Sequence, residues 1–502
     1  AIGEDAGEFP STAGDVIVGG DVIRIAAGGD YTCAVLSTGK VRCWGSGVSG
    51  RLGYGNTNNV GDDAGEYPST AGDVNVGGDV KQIAVGNSHT CALLATGKVR
   101  CWGYGGYGQL GYGNTGNIGD NEYPSDAGDV SVGGDVIRIA AGANHTCAVL
   151  STGKVRCWGW GAYGQLGYGN TNDIGGSPGY DPSDAGDVSV GGDVIVIGTG
   201  WSHTCALLAT GKVRCWGYGL YGQLGYGNGN NIGDDAGEYP STAGDVIVGG
   251  DVRRIAAGAN HTCALLSTGN VRCWGSGGNG QLGYGNPNNF GDNAGELPSD
   301  GGDVSVGGEP GVVDVTAGSF HTCSVLSTGK VRCWGYGSYG QLGYGNPNNI
   351  GDNAGALPSD AGDVSVGGDV KQVTAGENHT CALLANGKVR CWGSGAYGGL
   401  GYGAGRDIGD DELPSDVGDV SVGGDVVKVV AGSFHTCAIL STGKVRCWGY
   451  GEFGKLGYGN TNSIGDDAGE FPSTAGDVNV GGDMIKVVGG YKHACALLAT
   501  GK

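Results

Sequence analysis

Methionine occurs once in the 502 residues, at Met484, and the chain has no run of about 18 apolar residues, the length a membrane-crossing helix needs. No segment is therefore expected to insert in a bilayer. Positive charge is also scarce: Lys+Arg number 28 against Asp+Glu 50, a formal net charge of −22. Such a field repels nucleic acid and anionic membrane surfaces, which argues against a chromatin ligand. Helical periodicity appears nowhere, so bundles and coiled coils are excluded. Glycine is abundant at 113 residues but follows no Gly-X-Y period, which excludes collagen, and the 39% hydrophobic share is enough for a β core. Ala1-Ile2-Gly3-Glu4 lacks the charged-then-apolar order of a secretion signal. Without an initiator methionine, Ala1 reads as the start of a processed or trimmed chain, so the missing signal does not argue against export.

What the chain does have is one sentence said repeatedly. Tyr31 to Gly45 reads YTCAVLSTGKVRCWG, and close copies begin at His89, His145, His203, His261, His321, His379 and His435, with a shortened ninth at His493. In each complete copy the two cysteines are ten positions apart. If Ser37, Thr38 and Gly39 form a three-residue hairpin loop with Gly39 left-handed, Cys33 faces Cys43 on a non-hydrogen-bonded rung, where Cα atoms approach to about 4.5 Å. A disulfide spans that distance. The expected pairs are Cys33 with Cys43, Cys91 with Cys101, Cys147 with Cys157, Cys205 with Cys215, Cys263 with Cys273, Cys323 with Cys333, Cys381 with Cys391 and Cys437 with Cys447. Reduced core cysteines are the alternative. Zinc fits less well, because its sites favour cysteines two to four apart in sets of four ligands. Oxidised cysteines imply an exported protein, secreted or held on the cell surface.

First cysteines recur every 56 to 60 residues from Cys33 to Cys495, a period of arrays and propellers rather than of separate domains. Within a unit, Asp15 to Val18 meets Gly19-Gly20, a two-residue hairpin signal, and then come Asp21 to Ile25, Thr32 to Leu36 and Val41 to Trp44. Turns this tight predict a four-stranded antiparallel meander, with the long link Gly45 to Gly72 crossing to the next sheet. A meander alone cannot bury both faces, so sheets must pack on their neighbours, and radial repetition does that. The expected fold is all-β: a β-propeller-type array spanning 1–502 as one domain. Its blades run 15–44, 73–102, 129–158, 187–216, 245–274, 303–334, 363–392 and 419–448, with a partial ninth at 477–502.

Units such as Val136 to Gly159 followed by Tyr163-Gly164-Gln165-Leu166-Gly167, or Val194 to Gly217 followed by Tyr221-Gly222-Gln223-Leu224-Gly225, resemble the repeats of the regulator of chromosome condensation family over essentially the whole chain. The resemblance implies a β-propeller, usually of seven blades. It extends to guanine-nucleotide exchange factors, a plant ultraviolet photoreceptor and a secreted bacterial β-lactamase inhibitor, which share a binding surface and not a chemistry. This chain departs from the family in having more than eight units and a cysteine pair per unit, and its acidic links resemble the secreted bacterial branch. The photoreceptor role needs clustered tryptophans on one face, where only Trp201 stands.

The eight histidines recur at one place in the hairpin, seven before Thr-Cys and His493 before Ala494-Cys495, and read as ties between loop and strand rather than as metal ligands. No acid, base and nucleophile set is visible, so no catalytic residue and no cofactor is assigned, and a hydrolase or lyase is not favoured. The two positions before each histidine vary where the scaffold repeats. They place Trp201, Phe320, Phe434 and Tyr491 on a loop edge, as candidates for contact with a protein or glycan partner. The links carry paired acids, Asp62-Asp63, Asp234-Asp235 and Asp466-Asp467, which are calcium candidates that also read as solvated turn caps; Gly175-Gly176-Ser177-Pro178 lacks them. Asn144, Asn260 and Asn378 fall in Asn-His-Thr, formally glycosylation acceptors.

The function expected is a non-enzymatic propeller scaffold, secreted or on the cell surface, that binds macromolecules through blade-edge loops. The alternative is a self-assembling structural subunit of an extracellular filament or surface assembly. Ile2 to Gly19 matches Ile464 to Gly481, and Cys495 lacks its partner before Lys502, so the natural chain is expected to continue past that residue.

Overall fold

The computed structural model describes residues 22–27, 31–36, 38–63, 66, 68–307, 311–432, 434–441, 445–451, 456, 461–475, 484–489 and 494–498, with the backbone alone for 22–27, 32, 257, 445, 484–489 and 494–498. The hairpin arithmetic appears in full. Leu94 N donates to Lys98 O at 2.8 Å and Gly97 N to Leu94 O at 3.0 Å, closing the three-residue loop with Gly97 at φ 82°. Cys91 then stands opposite Cys101. Each of the eight cysteine pairs is a disulfide, with Cα atoms 4.0–4.1 Å apart.

Nine antiparallel sheets follow one another, eight of three strands and a last of two. We number them 1 to 9. Their inner strands are Val22–Ala27, Val80–Val85, Val136–Ala141, Val194–Thr199, Val252–Ala257, Val312–Ala317, Val370–Ala375, Val426–Ala431 and Met484–Gly489. The inner strands are one another's neighbours from sheet to sheet, and Ala494–Leu498 of sheet 9 lies beside Val22–Ala27 of sheet 1.

Every residue of a middle strand such as His89–Leu94 is buried, so both faces pack. Alternate residues feed different layers: Cys91, Leu93 and Val99 join one apolar cluster, and Ala92, Leu94 and Trp102 the other. That is the period of two expected when a sheet is sandwiched between neighbours.

The four-stranded meander is corrected. The segment read as the first strand of a unit lies instead on the outer edge of the preceding sheet. Val74, Val130, Val188, Val246, Val304, Val364 and Val420 donate their amides to Val41, Val99, Val155, Val213, Val271, Val331 and Val389 at 2.7–2.9 Å. The start of the link folds back on the same edge, as where Gly45 and Val60 exchange amide bonds at 2.9 and 3.0 Å. The crossing falls at the Gly-Gly step. Val76 closes a tight turn onto Val74, Gly77 is left-handed at φ 77°, and Val80 N bonds the hairpin loop above it at Gly39 O. Glycine is required at 77 on two counts, since a Cβ there would also stand 2.2 Å from Arg100 Nη1. Arg100 straddles the junction, donating Nη1 to Val76 O at 2.5 Å and Nε to Asp129 Oδ1 at 2.7 Å. Among the described residues, helix is confined to single turns such as Pro124–Ala127, with proline in the first helical position and a glycine after the last.

Candidate partner-binding face

The histidines tie sheet to sheet. His89 Nε2 meets Thr146 Oγ1 at 2.8 Å, and the same bond joins His145 to Thr204, His321 to Thr380 and His379 to Thr436 at 2.9 Å. Each threonine hydroxyl is in turn given to a carbonyl of the preceding unit, as Thr146 Oγ1 to Gln109 O at 3.2 Å. The threonine therefore accepts from the histidine, which carries its proton on Nε2. Trp158 Nε1 donates to the same Gln109 carbonyl at 3.0 Å. In sheet 1 Tyr31 takes the place of histidine, its hydroxyl 2.8 Å from Thr90 Oγ1.

Burial pushes His89, His203 and His261 down to about 4 and His145 and His321 to about 3; for all but His89 and His203, neighbouring histidines add to the shift. Neutral and buried, these five imidazoles offer no ligand to solvent. Gly86 leaves room for the ring, since a Cβ there would be 2.2 Å from His89 Cε1.

Just before the histidine, the loop shares an edge with the residue that follows Cys-Trp-Gly. Trp160 N donates to Asn144 O, Tyr218 N to Ser202 O, Tyr336 N to Phe320 O and Tyr450 N to Phe434 O, at 2.9–3.0 Å. This puts Trp201 beside Tyr218, Phe320 beside Tyr336 and Phe434 beside Tyr450. Trp201 is 52% exposed, whereas Phe320 and Phe434 are half-buried. Tyr491 lies outside the described residues.

Sequence reasoning missed what accompanies Trp201. Six rings run without a break across sheets 2 to 4: Tyr104, Tyr107, Trp160, Tyr163, Tyr218 and Tyr221, with successive centroids 4.8–5.9 Å apart. Burial first, then the phenols of Tyr221 and Tyr163, raise the pKa of Tyr218. Leu220 stands in the same loops at 55% exposure. The signal was present, because the position after Cys-Trp-Gly holds Tyr104, Trp160 and Tyr218 in three successive units, whereas Ser46, Ser276 and Ser394 separate Tyr336 and Tyr450 from one another and from this run in the rest. Further round, Tyr336 pairs with Tyr339, and Tyr397 touches both Phe434 and Tyr450.

The acidic links are local turns. Asn59 Nδ2 donates to Asp62 at 2.7 Å and Asn231 Nδ2 to Asp234 at 2.8 Å, while the amides of Glu66, Glu238 and Glu470 bond the carbonyls of Asp63, Asp235 and Asp467. Burial, then the neighbouring aspartates, raise the pKa of Glu66 and Glu238, and that of Glu470 beside Asp466 to about 7. Among the described residues, three carboxylates come within 4.8 Å of one another at Asp410, Asp411 and Glu412, not at the predicted pairs; Arg406 is 3.4 Å from Glu412.

Radial sheets, a buried tie from each of sheets 1 to 7 to the next and a varied loop edge define a propeller scaffold. The chain belongs to the RCC1 family: an RCC1-like domain matches residues 3–293, and regulator of chromosome condensation (RCC1) repeats match 312–341, 370–398 and 426–455, and in a second repeat model 328–383 and 386–439. It is 32% identical over 385 residues to the ultraviolet-B receptor UVR8 of Arabidopsis thaliana, covering 76% of this chain and 79% of that one. It is 31% identical to human E3 ubiquitin-protein ligase HERC2 across 65% of its own length, but spans only 6% of that protein. Among solved structures it is similar to Prp20p of Saccharomyces cerevisiae at TM-score 0.50 and 21% identity, covering 80% of this chain and 89% of that one. Human WBSCR16 is similar at TM-score 0.52 and 20% identity, covering 80% and 97%.

Proposed function

We propose that this chain is a non-enzymatic propeller scaffold of an oxidising, extracellular setting, and that it holds a protein partner on the rim of sheets 2 to 4. The observation that carries this reading is the unbroken six-ring ribbon beside the exposed Trp201 and Leu220. Aromatic side chains held rigidly at a surface lose little entropy on binding and bury much area, which is why they dominate hot spots. The ribbon is the one stretch of three successive units in which both loop positions are aromatic without a break, Ser46, Ser276 and Ser394 standing at the first of them in three other units, and its rings take no part in the His-Thr ties. The eight disulfides support the extracellular setting. Prp20p, alike in fold, binds Gsp1p and histones, both protein partners.

The test is retention of proteins from an extracellular fraction by the immobilised chain, by a Trp201→Ala/Leu220→Ala variant and by a Tyr339→Ala control on the far arc. A partner kept by wild type and control but lost by the double variant supports the rim. Equal retention by all three removes it, and continuous fibres in electron micrographs would favour the filament instead.

A further inference from the structure

Every inner strand begins with a bulge that packing between sheets does not require. In sheet 3 the ladder pairs Val136 with Leu150 and then skips to Arg138 with Val149, so two neighbouring residues are set outside the regular alternation. The same shift occurs in all nine sheets. A regular strand turns every second side chain into a packed layer, whereas a bulge re-aims the pair. Ile137 with Arg138, Ile195 with Val196 and Arg253 with Arg254 are all exposed. Because inner strands neighbour one another around the array, these pairs line its bore.

The bore differs in charge from the molecule that encloses it. The chain carries −22, yet the bulge pairs with described side chains hold Lys81, Arg138, Arg253, Arg254, Lys371 and Lys428 against the single acid Asp314. Elsewhere most described cations are matched, as in Lys98 with Asp135 and Arg100 with Asp129. In the bore Arg254 pairs with Asp314 and Arg253 donates Nη2 to Val313 O at 3.0 Å, while Lys81, Arg138, Arg253 and Lys371 have no carboxylate partner among the described residues.

Three adjacent inner strands place these features side by side: Arg138 on sheet 3, Ile195 and Val196 on sheet 4 at 45% and 42% exposure, and Arg253 and Arg254 on sheet 5. A strand edge accompanies them. In sheet 2 the Gln82 amide caps the next inner strand, donating to Ile139 O at 2.8 Å and accepting from Ile139 N at 3.3 Å. Gln372 does the same for Val429 at 2.8 and 3.4 Å. At that register sheet 4 has Val196, which cannot bond, and among the described residues no side chain caps Ile255 in its place.

We infer that the bore at sheets 3 to 5 binds an extended acidic peptide of the pattern acid, apolar, apolar, acid. The arginines take its carboxylates, Ile195 and Val196 its apolar side chains, and the free edge of sheet 5 its backbone. A sulfated glycan or single-stranded nucleic acid offers charge but nothing for the aliphatic strip or the strand edge. This assignment does not depend on the rim.

The probe is a dye-labelled Glu-Asp-Val-Val-Asp-Glu peptide, followed by fluorescence anisotropy on the intact oxidised chain, with its lysine-for-acid analogue as control. Saturable binding of the acidic probe alone is expected, weakened by salt as screening shortens to below about 10 Å. Arg138→Gln with Arg253→Gln should weaken it by about tenfold or more, two charge-assisted contacts being lost. Val196→Gln, which restores the cap at an exposed position, should also weaken it, and it carries the test if the double variant does not fold. Trp201→Ala should leave it unchanged. The proposal is overturned by absence of saturable binding, by equal binding of the lysine peptide, by bore variants that bind as wild type, or by a sulfated oligosaccharide or oligothymidylate that displaces the probe more effectively than the unlabelled peptide.

Discussion

Sheets 2 to 4 and sheets 6 to 8 are built on one framework and turn different surfaces outward. The His-Thr tie is 2.8 Å long from His89 and 2.9 Å from His379, and the tryptophan after each second cysteine is buried in both arcs. Yet the aromatic ribbon is continuous on the first arc and broken on the second, where Ser394 follows the Cys-Trp-Gly of sheet 7. The link that has Gly176-Ser177 in place of the paired acids, with the exposed Tyr180, also lies on the first arc. Residues that bond a neighbouring sheet vary little, because each serves two sheets at once; where Tyr31 replaces histidine it still reaches Thr90. Rim residues outside those ties vary more, and the unbroken ribbon falls on one side.

The comparison makes the framework common property, and acid should break it everywhere together. The histidines of sheets 2 to 6 bind protons less readily folded, at about 3 to 4, than at their ordinary 6.5. Their stabilising contribution is therefore present above pH 6.5 and is lost as pH falls toward 4, by up to about 1.4 kcal/mol per histidine per pH unit. Tryptophan fluorescence followed from pH 7 to 4 should show one cooperative transition. Two separate transitions would mean that the arcs are not equivalent.

Next in size, Trp158→Ala and Trp334→Ala should each cost about 3–5 kcal/mol in urea unfolding, since both rings are fully buried. A clear gap between the two would again separate the arcs.

The smallest effect concerns the links. Calcium at Asp62-Asp63, Asp234-Asp235 or Asp466-Asp467 would raise the melting temperature and a chelator would lower it, and only a slight change is expected. A shift of several degrees would assign metal to these links. The Glu470 carboxyl runs opposite to the histidines: with its pKa raised to about 7, it favours the folded state below its ordinary value, and that contribution is lost as pH rises through 7. Its partial exposure keeps the effect small.

The repeat, the loop and the cysteine pairing were legible because each is set within fifteen residues. Tyr31 to Gly45 specifies its own hairpin by turn length and alternation. The destination of Val74 was not legible. Val-x-Val before Gly-Gly has a hairpin's local pattern, and its pairing with Val41 depends on a link that returns in space. The ribbon was hidden in the same way: Tyr107 meets Trp160 at 5.9 Å only because sheets 2 and 3 are adjacent, and each copy by itself resembles scaffold. The bore pairs were concealed by the bulge, which defeats the two-residue period on which strand reading relies.

The offset between Val41 and Val74 also governs how the molecule is made. A sheet's outer edge is completed by residues that leave the ribosome 31 or 33 positions after the strand they join. While the chain grows, the newest sheet always shows an unfinished edge, and the segment that covers it goes on at once to begin the next. Unpaired edges attract foreign strands, and here each is exposed only for the time needed to synthesise half a repeat. Assembly thus proceeds like lapped roofing, in which every course is fastened by the one laid after it.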